Sequence, residues 1–468
     1  MAESMLAGHG PAHRAFFADE AWLPDGWARD VLIGVDRAGM IASVAPGSAP
    51  GHAWRLPGPV VPGMVDVHSH AFQRAMAGLA ERAGPAGDSF WSWRQIMYGF
   101  LGRLGPAEIE TIATQLYVEL LRHGYTAVVE FHYIHNDPAG APYENPGELS
   151  ERIVEAAGSA GIGLTLLPVL YQASDFGGKP PAEAQRRFVL DTPTYLELVH
   201  RLQHRHHRDP RVRIGIAPHS LRAVTPDALR DAIGVARAHD RTLPIHIHVA
   251  EQMREVEGCL AWSGRRPVEW LLGEAGVDPY WCLVHATHMS DDEVRGLAAS
   301  GAVAGLCPTT EANLGDGLFA LPAFLAASGR IAIGSDSNVS ASPVEELRWL
   351  EYGQRLALRA RNVAERTEGA ATGAALYART LAGGAQASGQ SVGAIAPGRR
   401  ADLVVLDADH PALAGRSGDG LIDSWVFSGN DNPVRDVIVA GEMVVRDGHH
   451  AHGEQAAADY AALMRRLA

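Results

Sequence analysis

Two histidines two residues apart, His68 and His70, end a short apolar segment that begins at Pro62. Side chains two residues apart on a β-strand point to the same face, so both imidazoles can bind one metal ion. A single His-x-His pair is weak evidence, because 22 histidines among 468 residues predict about one pair by chance. The chain has four such pairs, the others at 204 and 206, 246 and 248, and 450 and 452. Other residues must show which pair belongs to a site.

Similar residues follow other predicted strands. Read along the chain, they are His248, Glu251, His285 and Asp336, each at or just beyond the end of an apolar segment. The carboxyl ends of the strands of a (β/α)8 barrel meet at one face, where the active site lies. We therefore expect these four side chains and the two histidines of the first strand to form one site.

The elements that would place them there alternate between strands and helices. Amphipathic segments such as 106–123 and 226–238 predict helices, and the sequence lacks the Gly-x-Gly-x-x-Gly fingerprint of the doubly wound alternative. The pattern predicts an α/β fold, a (β/α)8 barrel of the TIM type. The predicted strands are 61–68, 125–131, 161–170, 212–218, 243–249, 281–286, 301–306 and 330–335.

Both ends of the chain are rich in short strand patterns. Those at 28–35 and 40–44 resemble those at 401–407 and 435–441, which predicts one small β domain built from both termini. The predicted division is 1–60 for the N-terminal part of this β domain, 61–385 for the metal-dependent barrel, and 386–468 for the C-terminal part with a terminal helix.

Composition limits the partners and the location. The formal net charge of −14 argues against a nucleic-acid partner, and the chain has no run of 18 apolar residues that would cross a membrane. Cys259, Cys282 and Cys307 form neither a disulfide framework nor a Cys-x-x-Cys zinc motif. The first residues do not have the pattern of a signal peptide. We therefore expect a cytoplasmic protein.

The predicted site suits one divalent metal ion. His68, His70, His248 and Asp336 offer three neutral nitrogens and a carboxylate and leave one position open, which favours Zn²⁺, with Fe²⁺ or Mn²⁺ as alternatives. An ion with an open position lowers the pKa of bound water toward neutrality, so the site is expected to be catalytic. A second ion is not expected, because a bridging lysine is needed and the sole lysine, Lys179, lies in a loop.

Two further residues are candidates for moving protons. Glu251 lies three residues beyond His248 and can take a proton from water and deliver it to a leaving group. His285 can hydrogen-bond the same water or a developing anion. Together with Asp336 they are the predicted catalytic residues. His246 shares a face with His248, and we interpret it as a packing residue one layer deeper. The pairs at 204 and 450 are interpreted as surface histidines.

With these residues in place, the chain resembles the amidohydrolase superfamily, in its mononuclear aminohydrolase branch. In that superfamily the strand-rich ends form a small β-sandwich beside the barrel. Within the branch it is similar to the formimidoylglutamate deiminases, enzymes of histidine degradation. The segments that carry this likeness are HSHAFQRAMAG at 68–78, DSFWSWR at 88–94, PHSLRAV at 218–224, HVAEQ at 248–252, CPTTEANLG at 307–315 and VGAIAPGRRADL at 392–403.

The resemblance implies hydrolysis of N-formimidoyl-L-glutamate to N-formyl-L-glutamate and ammonia. Such a substrate has two carboxylates, which the planar fork of arginine binds well. Arg94 follows strand 1 and Arg222 follows strand 4, so both are expected on the catalytic side. By resemblance, three more substrate-binding residues complete the pocket, namely Gln73, Tyr133 and His219. The resemblance also implies that the enzyme is a homodimer.

Two alternatives remain open from the sequence. The same metal site would serve a nucleobase or nucleoside deaminase or a triazine dechlorinase, but a flat neutral ring calls for stacking and amide contacts instead of two arginines. A metal-retaining scaffold without activity is the other alternative. It would have no use for Glu251 and His285.

Overall fold

The computed structural model describes residues 13–81 and 90–468, with the backbone alone for residues 90–92. The chain begins with five strands that lead toward the first strand of the barrel. The long pair at the start is an antiparallel hairpin, in which Leu23 lies opposite Gly26. These strands are β1 Arg14–Leu23, β2 Gly26–Val35, β3 Ile41–Ala45, β4 Trp54–Leu56 and β5 Val60–Pro62.

The middle of the chain forms parallel strands that alternate with helices. Nearly all of their residues are buried, as expected for a parallel sheet covered by helices on its outer face. The strands are β6 Met64–Ser69, β7 Tyr125–His132, β8 Gly163–Leu170, β9 Val212–Ile214, β10 Ala217–Pro218, β11 Ile245–Val249, β12 Trp281–His285, β13 Val303–Leu306 and β14 Arg330–Ile333.

These strands close into a barrel. Pairing runs from β6 through β7 and β8 to β9 and β10, and from β11 through β12 and β13 to β14. Isolated parallel bridges join the two halves, Ile216 with Ile245 and Ser220 with His248 at one seam and Ser69 with Asp336 at the other. The predicted α/β barrel is confirmed, and every predicted strand overlaps an observed one.

The fourth strand differs from its prediction because it is interrupted. β9 ends at Ile214 and β10 begins at Ala217. Between them the chain passes close to the neighbouring strand, since a Cβ at Gly215 would lie 2.8 Å from the carbonyl oxygen of Pro244. Ile216 therefore pairs with Ile245 across the seam, while the residues before it pair with β8.

The helices begin where their sequences favour it. Pro106 and Pro226 occupy the first turn of the two predicted helices, and the side chain of Thr225 accepts a hydrogen bond from the Ala228 amide at the start of the second. The helices are α1 Phe90–Leu101, α2 Pro106–Arg122, α3 Glu148–Ala160, α4 Thr192–His206, α5 Pro226–His239, α6 Met253–Ser263, α7 Pro267–Glu274, α8 Asp291–Ser300, α9 Pro308–Leu314, α10 Leu321–Ala326, α11 Pro343–Leu358, α12 Thr372–Ser388, α13 Asp419–Phe427 and α14 Gly453–Leu467. Short 3-10 turns lie at Ala71–Met76 and Glu183–Gln185.

The strands after the barrel return to the N-terminal sheet. β15 Leu403–Leu406 pairs antiparallel with β5, so both termini contribute to one sheet. The remaining strands are β16 Val434–Val439, β17 Glu442–Arg446 and β18 His449–His450. The order of the sheet is β18-β17-β16-β15-β5-β1-β2-β3, with β4 beside β1. The exact domain limits at 60 and 385 stay predictions. None of the helices in the described part of the chain is long and apolar enough to cross a membrane.

Candidate active site

The seam between the first and last barrel strands brings His68, His70 and Asp336 together. The backbone N–H of His70 donates to the Asp336 carbonyl at 3.0 Å, and the N–H of Asp336 donates to the His68 carbonyl at 2.8 Å. This approach requires a glycine before Asp336, because a Cβ at Gly334 would lie 2.7 Å from the backbone nitrogen of His68. The last strand can therefore deliver its carboxylate beside the two histidines.

Three imidazoles converge at this end of the barrel. The Nε2 atom of His68 lies 3.2 Å from Nε2 of His70 and 3.0 Å from Nε2 of His248. Oδ1 of Asp336 lies 3.5 Å from Nε2 of His68 and 3.4 Å from Nε2 of His70. All four side chains are buried. The residues predicted as metal ligands therefore meet at one point.

Hydrogen bonds fix which nitrogen of two of these rings carries the proton. Nδ1 of His70 lies 2.9 Å from the carbonyl oxygen of Phe131, and Nδ1 of His248 lies 3.1 Å from that of His219. A carbonyl oxygen only accepts, so both Nδ1 atoms must donate. The Nε2 atoms of His70 and His248 consequently present lone pairs, the arrangement that supporting hydrogen bonds give to metal-binding histidines.

These imidazoles are neutral. Burial lowers the pKa of His70 to about 3, and burial together with the other histidines holds the pKa values of His68 and His248 well below their ordinary value. A proton on Nε2 of His68 can satisfy only one of the two neighbouring Nε2 lone pairs, so without a cation at least one pair of facing nitrogens about 3 Å apart is repulsive. Burial raises the pKa of Asp336 to about 7, a direction that a bound cation reverses.

The spacing of these atoms fits one metal ion. Ligands about 2.05 Å from a tetrahedral zinc ion lie about 3.3 Å from one another. The separations of His68 from each of the other three ligands, and of His70 from Asp336, run from 3.0 to 3.5 Å. The donor set of three imidazole nitrogens and one carboxylate suits zinc, iron or manganese. The residues present therefore fit a mononuclear metal site.

A second layer of polar groups fixes the two strands of this seam. Asp66, fully buried on β6, accepts hydrogen bonds from the backbone N–H of Ser335 at 3.0 Å and from the Ser335 hydroxyl. The side-chain amide of Asn338 donates to the His70 carbonyl at 3.1 Å and to the Asp336 carbonyl at 2.9 Å. Asp336 and Asn338 both have left-handed backbones, with φ of 49° and 57°. This strained turn is held in place by buried hydrogen bonds.

Glu251 and His285 lie next to the histidine cluster. Nε2 of His285 is 3.8 Å from Oε1 of Glu251 and 3.8 Å from Oδ2 of Asp336. Its other nitrogen, Nδ1, faces Oε1 of Glu311 at 3.3 Å, which orients the ring. Burial opposes a charge on His285, but the carboxylates of Glu251, Glu311 and Asp336 raise its pKa to about 10. The site can therefore present a proton-accepting carboxylate and a hydrogen-bond donor side by side.

A cavity of about 600 Å³ opens onto this cluster. Three of the candidate metal ligands, His70, His248 and Asp336, lie at one part of its wall, while Arg94 and Arg222 contribute to the same lining. Aromatic side chains form much of the remaining surface. The lining residues are His70, Gln73, Trp93, Arg94, Met97, Tyr98, Tyr133, Tyr171, Phe188, His219, Arg222, His248, Glu251, His285, Thr310, Leu314 and Asp336.

The other predicted substrate-binding residues also line the cavity. The side-chain amide of Gln73 donates to the hydroxyl of Tyr133 at 3.0 Å, and Tyr133 donates to Sδ of Met97 at 3.3 Å. Oε1 of Gln73 is buried and has no hydrogen-bond partner among the described residues. His219 lies in the turn after β10, where its carbonyl positions His248. The predicted site residues are thus gathered around one cavity.

Some predictions made from single segments had other outcomes. Asp88 and Ser89, which belong to the segment at 88–94, lie outside the described residues. His246 is fully buried and its Nε2 contacts the Ala387 carbonyl at 2.8 Å, so its interpretation as a packing residue is confirmed. The surface interpretation of His450 is wrong. This ring is buried and its Nε2 contacts the Ala160 carbonyl at 2.8 Å, because α14 and β18 pack on α2 and α3.

Sequence reasoning missed several residues that support the site. Asp66 lies on β6, and its place two residues before His68 could have indicated it. The others lie on helices and in loops, where no spacing signal marks them. Each of these side chains is buried or lines the cavity. The residues missed are Asp66, Tyr98, Tyr171, Gln185, Glu255, Glu311 and Asn338.

The barrel, the histidine cluster and the cavity define a hydrolase of a known type. The chain belongs to the amidohydrolase family, whose model matches residues 60–444. Residues 13–56 also match the model of the N-terminal domain of formimidoylglutamate deiminase HutF. The chain is 55% identical to the formimidoylglutamate deiminase of Pseudomonas aeruginosa over 457 residues. This matched region covers 97% of this chain and 99% of that protein.

Two further relatives help to place the chain. The 8-oxoguanine deaminase of Pseudomonas aeruginosa is 31% identical over 399 residues, 83% of this chain and 82% of that protein. The crystal structure of an amidohydrolase from Brucella melitensis superposes with a TM-score of 0.91 at 46% identity, covering 97% of this chain and 100% of that one. The resemblance found in the sequence is therefore confirmed.

Proposed function

We propose that this chain hydrolyses N-formimidoyl-L-glutamate to N-formyl-L-glutamate and ammonia, a deimination in histidine degradation. The observation that carries the proposal is a cavity at which a cluster of histidines able to bind a metal ion meets two arginines, Arg94 and Arg222. The match of the N-terminal domain model and the identity of 55% to the Pseudomonas aeruginosa enzyme support the same reaction. The chain is then an enzyme that cleaves a C–N bond of a linear amidine.

The cavity lining supports recognition of a small dicarboxylate. Arg94 and Arg222 bind the two carboxylates, since a guanidinium offers paired donors to both carboxylate oxygens. Gln73, Tyr133 and His219 complete the pocket. The unpartnered Oε1 of Gln73 is the acceptor in this group, and it suits an N–H of the amidine.

His68, His70, His248 and Asp336 would hold one divalent metal ion per chain, with Zn²⁺ as the first choice and Fe²⁺ or Mn²⁺ as alternatives. A bound ion of this kind supplies a water of lowered pKa and polarises the group under attack. The protein contributes three neutral imidazoles that need not lose a proton to bind it.

Glu251 handles the proton of the reaction. It accepts a proton from the attacking water as the water oxygen bonds to the amidine carbon, and it passes this proton to the nitrogen that will leave. It then takes the remaining O–H proton of the adduct and delivers it to the same nitrogen as the C–N bond breaks. That nitrogen leaves as ammonia, and the carbon keeps the oxygen as the carbonyl of a formyl group. His285 lies close enough to hydrogen-bond the same water or the developing anion. Asp336 is the third proposed catalytic residue. It is one of the proposed metal ligands, and its Oδ2 lies 3.8 Å from Nε2 of His285.

Ammonia release by the purified protein with quantified metal tests this function. N-formimidoyl-L-glutamate is the substrate to try first, with its aspartate homologue to measure chain-length preference and with guanine, 8-oxoguanine and adenosine as controls. Release from the glutamate compound, with none from the purines, would support the proposal. Release from a purine alone would replace it with a nucleobase deaminase, and the two arginines would then need another role.

Assembly and location stay predictions. A homodimer and a cytoplasmic location follow from the sequence resemblance and composition, and sedimentation and cell fractionation would test them. The expectation that neither nucleic acid nor membrane is a partner rests on the net charge of −14 and on the absence of long apolar runs in the sequence.

A further inference from the structure

Two phenols in the cavity wall are held by one buried amide. Nε2 of Gln185 lies 2.6 Å from the hydroxyl of Tyr171 and 3.4 Å from that of Tyr98. Gln185 belongs to the segment between β8 and α4, whereas Tyr98 comes from α1. Tyr171 and Gln185 are buried, at 6% and 2% exposure, and both phenols line the cavity. This group of three side chains was not indicated by any motif.

The orientation of the Gln185 amide is fixed. Its Oε1 accepts a hydrogen bond from the backbone N–H of Ala182 at 2.8 Å, and a backbone N–H only donates. The NH2 group of Gln185 must therefore face the phenols and donate to their oxygens. Each phenol oxygen then acts as an acceptor toward Gln185, and its own proton is not used in that contact.

The two hydroxyls retain at least one proton for a third group. They also interact with each other, and that contact can use only one of their two protons. The other O–H lies in the cavity wall, because both phenols line the cavity, and it can donate to a ligand there. Burial raises the pKa of the Tyr171 hydroxyl above its ordinary value, so it keeps its proton at neutral pH.

The charges nearby favour an anionic acceptor. The guanidinium carbon of Arg94 lies 5.7 Å from the ring centre of Tyr98, and both Arg94 and Arg222 act electrostatically on Tyr171. This part of the wall offers hydrogen-bond donors from guanidinium and phenol groups. A carboxylate accepts only and matches such a wall, whereas the edge of a nucleobase carries donors of its own that would stay unpaired.

We propose that Tyr171, with Tyr98 beside it, donates a hydrogen bond to one carboxylate of the substrate, and that Gln185 is the positioning residue that directs this donor. The inference rests on the proposed function and deepens it, because it assigns a further specificity determinant to the dicarboxylate pocket. The two arginines balance the negative charge of the substrate carboxylates. The Tyr171 hydroxyl adds an uncharged hydrogen-bond donor, and the fixed side-chain amide of Gln185 sets the direction of that donor.

Substitution of Tyr171 by Phe tests the donor, because it removes one hydroxyl and leaves the ring. For N-formimidoyl-L-glutamate we expect kcat/KM to fall about 10- to 100-fold, chiefly through KM, the size expected for a hydrogen bond to a charged group. The same measurement is made with N-formimidoyl-4-aminobutyrate and N-formimidoyl-2-aminobutyrate, each of which lacks one carboxylate. The Tyr171→Phe penalty should disappear for one of the two truncated substrates and persist for the other.

Tyr195→Phe is the matched control. Tyr195 is buried in the same part of the barrel, but its hydroxyl donates to the Pro168 carbonyl at 3.0 Å and it does not line the cavity. This variant should lower the melting temperature and leave KM unchanged. An equal loss of Tyr171→Phe on all three substrates, or no loss on any, would overturn the proposal.

Gln185→Met tests the positioning role. It should raise KM in the same direction as Tyr171→Phe, and it should cost little more when Tyr171 is already Phe, because the two residues act through one hydrogen bond. Additive losses in the double variant would show that Gln185 acts independently of Tyr171.

Binding of glutarate to the metal-loaded protein, measured by calorimetry, separates this inference from the proposed function. Glutarate has both carboxylates and no amidine. A dissociation constant that rises about 10-fold or more in Tyr171→Phe supports the donor even if N-formimidoyl-L-glutamate is not hydrolysed. Equal binding by wild type and variant, or no binding by either, would reject it.

Discussion

The carboxylate of Glu255 lies 3.9 Å from the guanidinium of Arg222. Its two oxygens also accept hydrogen bonds from the backbone N–H groups of Ala250 at 3.2 Å and Glu251 at 3.3 Å. Ala250 has a left-handed backbone with φ of 51°, a conformation that such buried bonds must stabilise. One buried acid therefore connects the proposed acid–base residue with a proposed substrate-binding arginine.

Glu255→Gln should lower kcat about 10- to 100-fold and raise KM. The two backbone N–H groups bind different oxygens of Glu255, and in glutamine one of these oxygens becomes an NH2 group, which cannot accept. Displacement of Glu251 by a fraction of an ångström has a cost of this size. Steady-state kinetics with quantified metal measures both effects. Glu257→Gln, an exposed position on the same helix, is the control and should match wild type. Normal kcat and KM in Glu255→Gln would show that the loop holds Glu251 without it.

Glu251→Gln should abolish turnover while metal stays bound. The amide keeps the size of the side chain but cannot accept and return a proton, which removes a contribution of about 100-fold or more. Ammonia release and the metal-to-protein ratio are measured on the same preparation. A rate near that of wild type would remove Glu251 from the mechanism, and loss of metal would show that it supports the ligands instead.

The strand pattern of the barrel could be predicted from the sequence because each strand is a short apolar segment bounded by turn residues. The prediction of 281–286, for instance, matches β12 at Trp281–His285. The interruption of the fourth strand could not be predicted in the same way. It depends on how close Gly215 passes to Pro244, two residues whose contact appears only when the barrel closes.

The metal-type ligands could be predicted because their chemistry is distinctive and strand ends gather at one face. His68, His248 and Asp336 come from three strands, yet each follows an apolar segment that ends there. Glu255 and Gln185 could not be found in this way. Glu255 is in the first turn of α6, where an acid is common for reasons of helix stability, and Gln185 reaches Tyr98 across 87 residues of sequence.

Arg222→Met should lower kcat/KM about 10- to 100-fold, mainly by raising KM, because it removes the charge and the paired donors that hold a carboxylate. Arg222→Lys keeps the charge without the planar fork and should recover only part of the loss. Steady-state kinetics on N-formimidoyl-L-glutamate measures both. Arg230→Met, on the outer face of α5 with its side chain 55% exposed, controls for loss of a positive charge. An unchanged kcat/KM in Arg222→Met would show that this arginine does not touch the substrate.

Removal of the metal should abolish activity and lower the melting temperature. The lone pairs of His70 and His248 face Nε2 of His68 at about 3 Å in a buried site. A cation that binds only the folded chain stabilises it by an amount that rises with the logarithm of its concentration over its dissociation constant. We expect about one ion per chain by elemental analysis and loss of activity after dialysis against a chelator. Addition of Zn²⁺, Fe²⁺ or Mn²⁺ should restore activity, and the most effective of the three ions identifies the preferred metal.

His248→Ala should lose both the ion and the increase in melting temperature that the ion gives. His204→Ala, at an exposed histidine on α4, should keep both, so that a general effect of lost histidine is excluded. Full activity in metal-free protein would contradict the assignment of the three-histidine cluster.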